Sequence, residues 1–327
     1  MPTSRLPHAY LAALAMVLLT PAMPARSQVS LLPPDVQRVL ADVGPQWGKA
    51  LAKNIETTIA TFQPILKAAP KDGVVVSKNL AYGEDPKQIL DVYQPQGARE
   101  APVVIFIHGG AYVRGDKDLY GEMYGNIATW FARQGALGIN ATYRLAPGAK
   151  WPSAADDVRA MVKWAKENAA RFGGDPNRVY LVGHSAGATH VASYIFDRGL
   201  QPATGPGVSG AVLISGRYRL EYDPADPNGK NMQAYFGEDS SAYAARSPIM
   251  HIRDGERVPV FVVVTEYDNP GLDVVGAELL AALCARDGAC PRFTRLEKHN
   301  HLSEVAAFNT ADEQLGREIL EFMRRGR

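Results

Sequence analysis

The chain has 327 residues, 46% of them hydrophobic, with 35 basic and 34 acidic residues. Apolar content at that level supplies a large core and excludes a disordered chain. The balanced charge carries no basic stripe and no block of like charge, which argues against nucleic-acid binding and against a charged tail.

The first segment reads as a leader. Arg5 and His8 precede an apolar run from Ala9 to Thr20, and Pro21, Pro24 and small residues follow. This is the pattern of a secretory signal peptide over residues 1–27, cleaved after Ser27 or after Ala25. The apolar run is shorter than the roughly 20 residues that span a bilayer. An uncleaved N-terminal anchor is the alternative reading. The expected product is periplasmic or secreted, with no membrane anchor left after cleavage.

Residues 28–72 then form a helical segment. Trp47, Leu51, Ile55, Ile59, Phe62, Ile65 and Leu66 make one apolar stripe, broken before by Gly44-Pro45 and stopped after by Pro70. Such a segment either covers the strand ends as a lid or packs on the outside of the core.

From residue 73 to 327 the pattern is α/β. Val74–Val76, Ile89–Tyr93 and Val103–Ile107 read as strands rich in β-branched residues. The third is apolar throughout, as a strand covered on both faces should be. A helix over Tyr120–Gln134, a strand over Leu137–Tyr143 and a helix over Ser153–Phe172 follow. Next come a strand over Val179–Val182, a helix over Ala188–Phe196 and a strand over Gly210–Ser215. Gly216–Val258, rich in Tyr, Asp, Pro and Gly, reads as irregular. Val260–Thr265 is a strand, Asp273–Ala285 a helix, Arg292–Leu296 a strand, Leu302–Phe308 a short helix and Thr310–Arg325 the last helix. Strands alternating with helices imply a mostly parallel sheet with helices on both sides, with ligands at the carboxyl ends of the strands. Cys284 and Cys290 are the only cysteines. In an exported chain such a pair reads as a disulfide, and two buried thiols are the alternative.

Four local patterns carry chemistry. Gly183-His184-Ser185-Ala186-Gly187 sits between a buried strand and a helix, the setting of a nucleophile elbow. His108-Gly109-Gly110 follows the strand Val103–Ile107, and its adjacent glycines let backbone N–H groups converge with that of Ala186 on one oxyanion. After Val260–Thr265 comes Asp268, the candidate acid, with Glu266 as the alternative. After the last strand comes His301, the candidate base, with His299 as the alternative. A His-x-His pair also suits a metal, but no third ligand cluster accompanies it. His184 and His190 flank the nucleophile and read as structural or pocket-lining. The order Ser185, Asp268, His301 is that of a Ser-acid-His triad on a strand–turn–helix scaffold. That chemistry needs no metal or organic cofactor.

These residues resemble the α/β-hydrolase esterases, in particular the hormone-sensitive-lipase-like and bacterial acyl-esterase branch, over residues 75–325. The resemblance extends to Gly115-Asp116-Lys117, Tyr143-Arg144-Leu145-Ala146-Pro147, Phe172-Gly173-Gly174-Asp175-Pro176 and Ser247-Pro248-Ile249. It implies an α/β-hydrolase fold with a small N-terminal helical cover, oxyanion donors from Gly109, Gly110 and Ala186, and a small-molecule ester substrate. Two departures stand out. Ala111 occupies the place of a third glycine, and Gly183-His184-Ser185 replaces Gly-Asp-Ser, a form similar to the kynurenine-formamidase-like and feruloyl-type members. The expected activity is a serine carboxylesterase on small to medium acyl esters; the alternative is an arylformamidase-type amidase on the same triad. Tyr112, Tyr143, Trp151 and Tyr218 are candidates for lining the pocket or for ordinary core packing.

Overall fold

The structure is a computed structural model that describes residues 29–253 and 257–326. The leader, residues 1–27, lies outside the described residues. Eight strands form one sheet in the order β1-β2-β4-β3-β5-β6-β7-β8. They are β1 (Val74–Ala81), β2 (Ile89–Pro95), β3 (Ala101–Ile107), β4 (Leu137–Ala141), β5 (Gly174–His184), β6 (Gly210–Ile214), β7 (Val260–Tyr267) and β8 (Arg292–Asn300). β1 and β2 are antiparallel, β2 runs against β4, and β4 to β8 are parallel through β3.

Period-two alternation splits the central strands between two cores. Val103, Ile105 and Ile107 of β3 point to one side, with Leu181, Leu213 and Val262 from its neighbours. That core is covered by α4 (Ser153–Asn168), α5 (Ala186–Phe196) and α8 (Leu272–Asp287). Val104 and Phe106 point to the other side, with Val182, Ile214 and Val263. That second core is covered by α3 (Glu122–Arg133), α9 (Ser303–Ala306) and α10 (Gln314–Arg325). A strand buried on both faces has no polar face, which is why β3 reads as a continuous apolar run.

The N-terminal segment joins the second core. It comprises α1 (Pro34–Val43), a 3-10 stretch (Gly44–Ala50) and α2 (Leu51–Ala68). Val36, Leu40, Phe62 and Leu66 are buried in that core, with α1 lying against α2 and β8 and α2 against α3 and α9. Trp47 is also buried, and its indole N–H donates to Asn269 Oδ1 at 2.9 Å. The segment is thus a packed layer that reaches the loop after β7.

Two sequence expectations need correction. Gly216–Val258 is not wholly irregular, because it holds α6 (Gly229–Phe236) and α7 (Tyr243–Arg246). Only Met232, Tyr235 and Phe236 anchor α6 to the core, too short a period to stand out among flanking Pro, Gly and Asp. The last helix starts at Gln314 rather than Thr310. Asp312 in the intervening turn is held by His299 at 3.0 Å, a contact no local pattern contains. The sulfurs of Cys284 and Cys290 lie at bonding distance, 2.11 Å. Among the described residues no helix is long and apolar enough to cross a membrane.

Candidate active site

The carboxyl ends of five adjacent strands converge on one place. β3 delivers the His108–Tyr112 loop, β5 delivers Ser185, β6 delivers Ser215, β7 delivers Asp268 and β8 delivers His301. Ser185 has φ 55° and ψ −122°, a conformation L-residues rarely adopt. Its N–H donates to Ile214 O at 2.8 Å, tying the elbow to β6. The turn leaves no room behind it. A Cβ on Gly187 would lie 2.2 Å from Ile107 O.

Asp268 and His301 form a close pair, with His301 Nδ1 2.7 Å from Asp268 Oδ1. Both side chains are buried. The Asn269 N–H donates to Asp268 Oδ1 at 2.8 Å, and Ser215 Oγ lies 2.7 Å from Asp268 Oδ2. His301 is positioned through its backbone too, since its N–H donates to Tyr267 O at 3.1 Å and its carbonyl lies 2.9 Å from His184 Nε2. The alternatives are engaged elsewhere. Glu266 Oε2 accepts from the Lys298 N–H at 2.7 Å in an exposed position. His299 lies between Ser303 Oγ at 3.1 Å and Asp312 Oδ2 at 3.0 Å.

The loop after β3 is built for close approach. Gly110 has φ +137°, and a Cβ there would lie 1.9 Å from Arg114 O. Its carbonyl accepts from the N–H groups of Val113 and Arg114, which closes the turn. Gly109 packs directly on Ser185, whose Cβ would be 3.0 Å from a Cβ at that position. The ring of His108 stacks on Tyr143 at 4.3 Å, and the Tyr143 hydroxyl donates to His108 O at 3.0 Å. Burial lowers the His108 pKa to about 4, so the ring is neutral.

Ser185 and Ala186 open on a cleft lined also by Ala111, Tyr112, Asn269 and Leu272. Three polar side chains also line it. Arg217 pairs with Asp226 at 2.5 Å, and Asn228 lies beside them. Arg217, Asp226 and Asn228 escaped the sequence reading because they lie in the stretch read as irregular. Ala111, which stands in the place of a third glycine, lines the cleft as well. Of the four aromatic candidates, Tyr112 lines the cleft and is also buried in the core, Tyr143 and Tyr218 are buried core residues, and Trp151 packs half-buried against the same core. A separate groove of about 680 Å³ runs along α4, past Arg159, Lys163 and Pro206, and includes no triad candidate.

His184, His301 and Glu304 bring ligand-type atoms within 4.8 Å of one another. His301 Nδ1 is taken by Asp268, and His184 Nε2 by the His301 carbonyl. The group therefore belongs to the hydrogen-bond network of the pair rather than to a metal centre. Burial holds the His184 pKa well below the usual histidine value, helped by the nearby His301.

This strand order, with a serine elbow after β5 and an acid and a histidine after β7 and β8, defines an α/β-hydrolase fold. A family profile described as BD-FAE matches residues 90–195, from β2 to the elbow helix. The chain is 32% identical over 168 residues to Esterase LipC of Mycobacterium tuberculosis, covering 48% of this chain and 41% of that protein. It is 26% identical over 249 residues to Esterase LipQ of the same organism, covering 71% of this chain and 58% of that protein. The chain thus spans about two- to three-fifths of the length of these relatives. Among solved structures, a hyperthermophilic esterase from Pyrobaculum calidifontis superposes with TM-score 0.67 at 22% identity, covering 90% of this chain and 98% of that one.

Proposed function

We propose that the chain is a serine carboxylesterase acting on small to medium acyl esters. The observation that carries this is the 2.7 Å Asp268–His301 pair set beside a strained Ser185 elbow. His301 Nδ1 donates to Asp268, which leaves Nε2 as the base. His301 takes the Ser185 proton as Oγ attacks the carbonyl carbon, and Asp268 stabilises the imidazolium. Backbone N–H groups of the Gly109-Gly110 loop and of Ala186 hold the oxyanion, each donor contributing about 2.7–4 kcal/mol to the transition state. The imidazolium then protonates the leaving alcohol, and His301 activates water to release the acid. Esterase names among the relatives support the reading. The polar side chains of Arg217, Asp226 and Asn228 in the cleft support a compact substrate rather than a long acyl chain.

The test is a parallel assay of the protein and Ser185→Ala on p-nitrophenyl acetate, butyrate and octanoate, with N-formylkynurenine alongside. Ester turnover that disappears in the variant and declines toward octanoate supports the reading. Full activity in the variant, or turnover of the formamide alone, refutes it.

We also propose that the chain is exported, a reading supported by the signal-peptide pattern of residues 1–27 and by the Cys284–Cys290 pair, which suits an oxidising compartment. Mass spectrometry of the extracytoplasmic fraction should find an N-terminus at Gln28 or Arg26. An intact Met1 terminus refutes cleavage.

A further inference from the structure

A second carboxyl lies behind the Asp268–His301 pair. Glu304 is buried on α9, three residues past His301. Its Oε2 lies 3.0 Å from Ser215 Oγ, and the same Ser215 Oγ lies 2.7 Å from Asp268 Oδ2. Its Oε1 lies 3.3 Å from His184 Nε2 and 3.7 Å from His301 Nδ1. The mechanism above uses neither Glu304 nor Ser215.

Counting protons decides what these contacts are. A serine hydroxyl carries one hydrogen and cannot donate to two carboxylates. Both contacts are hydrogen bonds only if one carboxyl brings its own proton. Asp268 faces three donors, namely the Asn269 N–H, His301 Nδ1 and Ser215 Oγ. That is the setting of an ionised carboxylate. The proton therefore sits on Glu304.

We infer that Glu304 is a positioning residue, a neutral carboxylic acid whose O–H donates to Ser215 Oγ and so turns the Ser215 hydroxyl onto Asp268 Oδ2. Asp268 is then gripped from both oxygens, by His301 and Asn269 on one and Ser215 on the other. The neutral form also keeps a single negative charge beside His301. A second ionised carboxylate at 3.7 Å would hold the imidazolium too tightly to release its proton to the leaving group.

The surroundings agree. Facing Glu304 are His184 from β5, Asp268 from the loop after β7 and His301 from the end of β8. Tyr218 faces it from the chain after β6, and the His299–Asp312 pair and Glu313 from across a small cavity behind it. None of these is a lysine or arginine. Burial, and then the charge of Asp268, push the Glu304 carboxyl well above the usual glutamate range.

The inference rests on the serine-esterase reading, and its test separates the two. Infrared difference spectra of the wild type minus Glu304→Gln at pH 7 should show the carbonyl band of a protonated carboxylic acid. This readout needs no activity, and absence of the band overturns the inference even if the esterase reading stands. In pH profiles normalised by active-site titration, Glu304→Gln keeps a donor for Ser215 and should retain kcat and the acidic limb of kcat/KM. Glu304→Ala should lose about 10- to 100-fold in kcat with KM unchanged. An acidic limb moved down by about one pH unit in Glu304→Gln means that a charge was removed, which overturns the neutral role. Wild-type kcat per titrated site in Glu304→Ala overturns the positioning role. If Glu304→Ala fails to fold, Ser215→Ala takes its place, with the same loss expected and the same refutation.

Discussion

Acidification from pH 6.5 to 5 should remove a few kcal/mol of folding stability, and three buried histidines set the sign. His108 and His190 are buried and neutral, their pKa values lowered to about 4 and about 3, and His184 is held well below the usual value, in each case chiefly by burial. In the unfolded chain each titrates near 6.5. Their contribution is present above pH 6.5 and is lost as pH falls toward their folded values, because only the unfolded chain takes up protons in that interval. His108 and His190 each cost roughly 2 kcal/mol between pH 6.5 and 5, and His184 acts in the same direction. Glu304 acts in the opposite direction. Burial and the charge of Asp268 raise its carboxyl well above the usual glutamate range in the fold, so acidification over the same interval offsets part of the loss. Urea unfolding at the two pH values measures the net change. In His190→Phe, whose ring keeps its place among Tyr112, Tyr143 and Tyr235, the loss on acidification should shrink by roughly 2 kcal/mol. Equal pH dependence in wild type and variant, or a wild type that gains stability on acidification, would refute the reasoning.

Gly110→Ala puts a Cβ 1.9 Å from Arg114 O at φ +137°, so the loop must move. Ester turnover should fall by about 100-fold or more at unchanged fold by circular dichroism, and near-normal kcat would show that the loop supplies no oxyanion donor. Trp47→Ala removes a buried indole and its bond to Asn269, and should cost about 3–5 kcal/mol in denaturant unfolding. A mobile lid would instead alter KM and leave stability intact. Replacing Cys284 and Cys290 together by serine opens a loop with a separation of six residues, and should lower stability by about 2 kcal/mol without changing kcat. An unchanged melting temperature would mean that the pair contributes nothing.

The elements with a strong local period were legible in the chain. β3 and β5 to β7 are apolar runs bounded by turns, and α2, α3 and α4 repeat their apolar positions every three or four residues. The elbow and the His108-Gly-Gly loop were legible for a different reason. A tight turn between strand and helix demands glycine at set positions, and glycine spacing survives in one dimension. α6 was missed, because three apolar anchors among turn residues carry no clear period. Ser215 and Glu304 were missed as functional residues, although each follows a strand end where this class of sheet places its site.

The sequence by itself determined the alternation of strands and helices, the elbow, and the order of serine, acid and histidine. These are properties of neighbours along the chain, governed by turn sterics and burial periodicity. The tertiary structure decided which acid and which histidine meet. Glu266 and Asp268 are two residues apart, as are His299 and His301, so adjacent choices look alike until the strands are stacked. Stacking β7 beside β8 brings Asp268 to 2.7 Å from His301 and sends Glu266 to the Lys298 backbone and His299 to Asp312. It also set Ser215 between Asp268 and Glu304, and His184 beside Glu304, from separate elements. Hydrogen bonds of 3 Å between residues about a hundred positions apart leave no periodic trace in sequence, because only the sheet register sets their distance.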